Sequence, residues 1–487
     1  MSRSPASWIG IPKGWEDTGF PPEDMLIELT PEHMAYGTCF IGGTGSGKTS
    51  AMEHLFAQAV ARGESVISIS ELGDFNDTAA NLLVAMGVDA DRIAMIDFRF
   101  GEWTLGCNPL DPEEPYFSAL NFLRIMKAIS ESWGVTVEET SRFAWMLLAE
   151  AGRNILELER LFYDDAFREY CLRQSRNPSV KAFWRRYDQN SARSRQEMVS
   201  PVLNKYSVLS ATEQLRRVYG HPEPIDIRRH IDTPGSVLLI SLAKNEQFLA
   251  ADISGAVLIG NIARAIFSRV GQEHRTRTRI FIDEFQHFDV QDIETIITEG
   301  RRFNCSVVLA HQSLVQLSPK LRSLILNNFG VKFAMRCGRD DATALCKNIA
   351  GDPNILDLND LPPGEALMWV RGYAPEHVEL NEPLGLPKSM TWQARELLQE
   401  VYDRYPHYEP DTSDWSDMEE DVIDVIPIFS EHEISELEIS EIVPSIQSQR
   451  SLTRAPRVLT PKKPKSLILT PESELPDKST EDWLANY

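Results

Sequence analysis

The sequence predicts an α/β protein: an open, largely parallel sheet flanked by helices, interrupted by an all-helical block and followed by an acidic tail. Three observations predict it. Short apolar runs alternate with helical stretches, the pattern of a parallel sheet with both faces covered. The strand signal vanishes between about Asp111 and Gly220. Late in the chain Pro, Ser and charge replace apolar periodicity. The expected organisation is a first sheet segment over 1–110, a helical insert over 111–220, a second sheet segment over 221–400 and a tail over 401–487.

The elements follow from local pattern. Gly37–Ile41, Ser65–Ser70 and Arg92–Asp97 read as buried strands, and Thr49–Arg62 has helical spacing and stops at Gly63. In the insert, 117–130, 141–162 and 180–190 read as helices. Strands resume with Ser236–Leu242, Arg279–Asp283, Ser306–Ala310, Val331–Met335 and Ala366–Val370, with a helix over Ala251–Ser268. The two strand-rich regions are expected to form one sheet.

Composition narrows the function. A chain of 487 residues buries a large core without metal or disulfide staples. Lys and Arg number 49 against 72 Asp and Glu, a net charge of −23. So acidic a surface argues against non-specific coating of nucleic acid or anionic lipid, though not against a local basic channel. No apolar run approaches the roughly 18 residues of a membrane span, and the N-terminal stretch lacks the apolar core of a signal peptide. The six cysteines have no zinc-ligand spacing and read as reduced, mostly buried thiols of a cytoplasmic protein.

One motif carries chemistry by itself. Gly42-Gly-Thr-Gly-Ser-Gly-Lys-Thr49 fits GxxxxGK[ST] and lies between a predicted strand and a predicted helix. Its glycines permit a tight turn that points successive amides into one cavity, and the helix N-terminus adds its positive dipole end. The nucleotide-holding residues are therefore Gly42, Gly43, Thr44, Gly45, Ser46, Gly47, Lys48, Thr49 and Ser50. Lys48 is expected to reach the β and γ phosphates, and Thr49 to place its hydroxyl on Mg²⁺. The expected cofactors are ATP and Mg²⁺.

Ile280-Phe-Ile-Asp-Glu284 supplies a second half. A strand ending in two carboxylates puts both at the carboxyl edge of the sheet, where open α/β sheets bind ligands. Asp283 is expected to join Thr49 at the metal, and Glu284 to orient and polarise the attacking water. A strand ending in an acidic turn is the alternative. His311-Gln312 end a further strand: Gln312 can touch the γ-phosphate or the water, whereas His311 reads as structural. Arg301, with Arg302, precedes that strand. It either acts in cis, reaches a neighbouring subunit's nucleotide, or caps a solvated helix end. Arg336 and Arg339 are further finger candidates.

Taken in order, these residues resemble the HerA/FtsK superfamily of ring-forming motor ATPases, and within it the conjugative coupling-protein and type IV secretion ATPases. The resemblance spans about Gly37 to Arg371. It is carried by the phosphate loop, Cys107-Asn-Pro-Leu110, Ile282-Asp-Glu-Phe-Gln286, Gly300-Arg-Arg-Phe-Asn304, Leu309-Ala-His-Gln312, and Asn327 to Arg336 with Asp340-Asp-Ala342. It implies a RecA-like P-loop NTPase sheet with an inserted all-helical domain, a homo-hexameric ring, nucleotide at subunit interfaces and DNA in the pore. It further implies that Gln312 is a sensor and that Arg301 serves the adjoining site. Three departures stand out, one of them the long acidic tail, which has no counterpart in the family pattern. No N-terminal membrane helices are evident, and Ser70-Glu-Leu-Gly-Asp74 begins with Glu71 where the family usually has Asp.

The implied function is an ATP-hydrolysing ring motor that moves DNA. The alternatives are a secretion or pilus-type ATPase acting on protein, and a nucleotide-switched scaffold for an effector such as a nuclease. For DNA, the stretch Arg173–Lys205 holds eight basic residues against Asp188 and Glu197, with Trp184 and Tyr187 interleaved. It reads either as a patch that tracks phosphates and stacks bases or as a solvated helix face. Lys320 and Arg322 are a second candidate contact. In the tail, Asp411–Glu441 has twelve acidic and no Lys or Arg residues, and Arg450–Lys465 has six basic and no acidic ones. This composition predicts disorder. The stretch around Trp483 can dock a secretion-channel or effector protein, or simply solubilise the chain.

Overall fold

The computed structural model describes residues 7–13, 27–99, 104–129, 133–242, 248–284 and 291–405. The expected disordered tail lies outside the described residues from 406 onward, as do Trp483 and Phe285-Gln286.

The strands are β1 (Ser7–Trp8), β2 (Gly10–Pro12), β3 (Glu28–Leu29), β4 (Thr38–Ile41), β5 (Ser65–Ser70), β6 (Ile93–Asp97), β7 (Val237–Ser241), β8 (Thr278–Asp283), β9 (Cys305–His311), β10 (Val331–Met335), β11 (Glu365–Val370) and β12 (Glu376–Leu380). Ten form one sheet in the order β2-β12-β11-β10-β4-β9-β8-β5-β7-β6, and β1 pairs with β3 apart from it. From β10 to β6 all neighbours are parallel. Every residue of β4, β5, β6, β7, β9 and β10 is buried, which is why these segments read as continuous apolar runs. The architecture is the expected RecA-like α/β sheet, and both strand-rich regions contribute to it.

The serines of β5 are buried with partners. Ser65 Oγ lies 3.0 Å from Ser236 Oγ, Ser68 Oγ donates to Asn76 Oδ1 at 2.5 Å, and Asn76 Nδ2 donates to the Ile240 carbonyl at 2.7 Å. Polar groups in a core strand survive only when so satisfied.

One edge departs from the parallel expectation. β11, β12 and β2 add antiparallel to β10. The connection over 371–375 is too short for the crossover that a parallel pair requires. β2, the edge strand, and its neighbour β12 are short and partly exposed, with little apolar signal.

Between β6 and β7 the chain is helical. Helices cover Pro115–Ile129, Val135–Glu150, Leu158–Tyr163, Asp165–Gln174, Pro178–Gln189, Ala192–Tyr206, Glu213–Gly220 and Ile227–Asp232, so helix continues past the expected boundary at Gly220. The single helix expected over 141–162 is broken. Asn154 caps a new turn, its Oδ1 accepting from the Leu156 amide at 2.9 Å. Trp145 and Trp184 are fully buried in the core of this block. The helical block and the sheet belong to one compact unit. All six cysteines are free and buried. Among the described residues no helix is long and apolar enough to cross a membrane.

Candidate functional site

The phosphate loop leaves β4 at its carboxyl end and runs into helix Lys48–Ala61. Gly47 is the N-cap, with φ +103°, and no side chain caps the first turn. The leading amides of this helix are therefore available to an anion. A Cβ on Gly42 would lie 2.8 Å from Met335 Cβ and 2.9 Å from Ser46 Oγ. The Gly364 amide donates to the Ser46 carbonyl at 2.9 Å and braces the loop from the turn before β11. Lys48 is buried and donates to the carbonyls of its own loop, Gly42 at 2.7 Å and Gly43 at 3.1 Å. Thr49 is exposed beside it, and Ser50 is half-buried.

The acids arrive from β8. Register fixes their height: Asp283 stands opposite Ser70 of β5, and Ile41, the last residue of β4, stands opposite His311. Asp283, His311 and the loop thus share the carboxyl edge, with β9 between β4 and β8. Loss of solvent, then Glu284, pushes the Asp283 carboxyl up to about 6, with Lys48 opposing. Burial lowers the Lys48 ammonium, opposed by Glu284 and Asp283. These mutual influences place the lysine and the acid pair in one electrostatic neighbourhood. Glu284 has φ +59°, a strained backbone for a residue other than glycine. Gln312 Nε2 donates to Glu284 Oε1 at 2.6 Å. The two polar strand ends predicted from β8 and β9 are therefore in direct contact.

These residues fit Mg²⁺ and a nucleotide triphosphate. Open helix-terminal amides, a lysine, a free hydroxyl at Thr49 and an oxygen donor at Asp283 form the donor set that hard cations and phosphates require. Ser46 Oγ is buried without a partner inside the cradle, among the described residues.

Other predicted residues fall elsewhere. Arg301 lies in the turn Gly300–Phe303 before β9, at the amino edge of the sheet, with its guanidinium 3.9 Å from the centre of the Tyr36 ring. The length of β9, at roughly 3.3 Å per residue, separates it from the loop. Arg301 therefore stands at the edge of the sheet opposite its own phosphate loop. Arg336 does the reverse. Its carbonyl accepts from the Gly43 amide at 2.7 Å and its Nη2 lies 3.4 Å from the Gly45 carbonyl, so it sits on its own loop. Arg339, exposed at the next helix start, follows the same strand end. His311 is buried, and its carbonyl accepts from the Gly42 amide at 3.1 Å, a structural role. Glu71 is buried next to Ser70.

The base-stacking expectation is overturned. Trp184 and Tyr187 are buried and pack on Phe162, so they present no face to a base. Of the eight basic residues, Arg173, Arg186 and Arg193 are paired with Glu169, Glu139 and Glu197. Arg195 and Lys205 lie over the rings of Tyr187 and Trp133. Arg176, Lys181 and Arg185 are exposed with no carboxylate partner among the described residues. Lys320 is paired with Glu294 at 2.7 Å.

Sequence reasoning missed Glu53, one helical turn beyond Thr49. Desolvation, then Asp283, raises its carboxyl to about 7, against the influence of Lys388. It also missed the support beneath Gly73. There Arg99 Nη2 contacts Asp77 Oδ1 and Asp97 Oδ2, each at 2.8 Å.

The family described as type IV secretion-system coupling protein DNA-binding domain matches residues 26–359. The chain belongs to that family. Solved coupling-protein structures share the fold. The plasmid coupling protein TrwB in complex with ADP and Mg²⁺ superposes with a TM-score of 0.53 at 14% identity, covering 79% of this chain and 97% of that one. TrwB with a non-hydrolysable ATP analogue gives 0.51 at 16% identity, covering 75% and 90%. VirB4 of Thermoanaerobacter pseudethanolicus gives 0.53 at 14% identity, covering 78% and 98%. No curated protein matches the chain.

Proposed function

We propose that this coupling-family chain is an ATP-hydrolysing motor that works as a ring of identical copies and translocates DNA. The observation that carries the catalytic part is the contact between Gln312 and Glu284 beside Asp283, at the same sheet edge as Lys48. TrwB, of the same fold, has been captured with ADP and Mg²⁺, and the matching family is described as DNA-binding.

Placement supports the following roles. The loop amides from Gly42 to Ser50 and Lys48 hold phosphate oxygens. On phosphate arrival Lys48 exchanges its loop carbonyls for them. Thr49 and Asp283 would hold Mg²⁺, which neutralises charge on the phosphates when bound. Glu284 orients the attacking water and accepts its proton. Gln312, already bonded to Glu284, senses the state of that carboxylate and passes it to β9. Arg301 of another copy stabilises the charge spreading over the γ-phosphate oxygens. Arg176, Lys181 and Arg185, without a carboxylate partner among the described residues, give the helical block cations for DNA phosphates.

The test is ATP turnover by the purified chain with and without DNA at low salt. Stimulation by DNA is expected. Turnover indifferent to single- and double-stranded DNA would overturn the translocase reading and favour a protein-moving ATPase or a nucleotide-switched scaffold.

A further inference from the structure

The amino edge of the sheet carries a feature that the loop and acids do not use. Tyr36 precedes β4, and two guanidiniums lie against its ring, Arg301 at 3.9 Å and Arg371 at 4.4 Å from the ring centre. Three segments converge there because of the strand order. Arg301 enters β9, Tyr36 enters β4, and Arg371 leaves β11, which runs antiparallel to β10 and so ends at this edge.

The approach is built in. A Cβ on Gly330 would lie 2.5 Å from Tyr36 Cβ, so only glycine fits there. The Gly330 carbonyl accepts from the Arg371 amide at 2.8 Å, which ties Arg371 to the same point. The Arg371 Nη2 donates to the carbonyls of Asn328 at 3.3 Å and Asn327 at 3.4 Å. Neither arginine has a carboxylate partner among the described residues, and both are exposed. Like charges gathered at one ring repel, and the electron-rich ring offsets only part of that cost. A bound anion offsets the rest.

The anion cannot be the chain's own triphosphate, which sits at the opposite edge. A second copy packed head to tail would bring its carboxyl edge, with the loop, against this amino edge. Two guanidiniums held against one ring suit the concentrated charge of a triphosphate end better than phosphates spread along a strand. We infer that Tyr36 is a positioning platform that presents Arg301 together with Arg371, as a pair, to the nucleotide of a second copy. This rests on the ATPase function proposed above and adds two residues to it.

The test is steady-state ATP turnover by the full chain with saturating DNA. Arg371→Ala and Tyr36→Leu should each lower kcat at least roughly tenfold with KM for Mg·ATP little changed. Arg371→Lys should stay impaired, since it keeps charge but loses the planar fork. Tyr36→Phe should recover what Tyr36→Leu loses, because the Tyr36 hydroxyl has no bond among the described residues. Mixing Arg371→Ala with Lys48→Ala chains should restore turnover, since the lysine variant still lends its arginines. A wild-type kcat in Arg371→Ala, or a loss that mixing never restores, overturns the inference alone. A fall in DNA affinity with kcat at saturating DNA unchanged also overturns it, assigning the pair to nucleic acid. Absence of turnover in the unaltered protein overturns this inference and the proposed function together.

Discussion

Gln312 and Glu284, from the ends of adjacent parallel strands, share a hydrogen bond of 2.6 Å between amide and carboxylate. The bond puts a neutral side chain on the group proposed to accept the water's proton. Any shift of β9 relative to β8 therefore changes the orientation of that carboxylate.

Replacing Glu284 with Gln keeps the side chain's size and its capacity to meet Gln312 but removes the base. Nucleotide affinity should persist while turnover falls by about 10²- to 10⁴-fold. Equilibrium binding and single-turnover hydrolysis on the same preparation check this. Hydrolysis at the wild-type rate would remove Glu284 from the reaction.

Gln312→Ala removes this bond to Glu284 without touching the loop. The expected result is retained nucleotide affinity, with the stimulation of turnover by DNA reduced or lost. Comparing turnover with and without DNA reads this directly.

How far the sequence revealed this site depends on the range of the signal. The phosphate loop and Asp283-Glu284 are local motifs flanked by recognisable elements, so both position and chemistry are legible. The central strands are legible because burial on both faces makes them apolar runs. β2 and β12 are not, because half-exposed strands near the sheet margin such as Glu376-His-Val-Glu-Leu380 carry little contrast. Tyr36 and Arg371 lie far apart in the chain and meet only through strand order and register, which no local pattern encodes. The stretch over 173–205 was readable but charge counting misled. Val180, Phe183, Trp184 and Tyr187 fall on one helical face and Lys181 and Arg185 on the other, so periodicity separates core from surface.

That separation makes a paired prediction. Trp184→Ala should cost about 3–5 kcal/mol of stability by opening a cavity in the helical block. The double charge reversal Lys181→Glu with Arg185→Glu should leave the thermal midpoint nearly unchanged. It should weaken DNA binding and flatten its salt dependence by about one to two units of log–log slope. Thermal melts and binding titrations at several salt concentrations distinguish the two.

Gly73 has φ +91°, and a Cβ there would lie 2.2 Å from Arg99 Nη1. Gly73→Ala should therefore displace Arg99 from Asp77 and Asp97 and destabilise the protein by roughly 1–3 kcal/mol. Chemical denaturation measures it.

Two imidazoles set an acid dependence. Burial pushes His230 and His311 down to about 4. Below about 6.5 the unfolded chain takes up protons that the folded chain refuses until about pH 4. Each histidine thus contributes stability that is present above pH 6.5 and lost as pH falls through that window, by roughly 1.4 kcal/mol per pH unit at most. The carboxyls of Asp283 and Glu53, raised to about 6 and about 7, act in the opposite sense over the same range, so the histidine effect is read by difference: the stability of His230→Gln relative to the unaltered chain should rise as pH falls from 7 to 4.

The account depends on main-chain amides of the Gly42–Ser50 turn and the carboxylate of Asp283 serving one bound triphosphate. The most direct measurement is equilibrium binding of a fluorescent ATP analogue to the unaltered chain, Lys48→Ala and Asp283→Ala, with and without Mg²⁺. Saturable binding by the unaltered chain, a Mg²⁺-dependent gain abolished in Asp283→Ala and affinity lost in Lys48→Ala are the predicted results. Mg²⁺-dependent binding that is identical in all three proteins would contradict it.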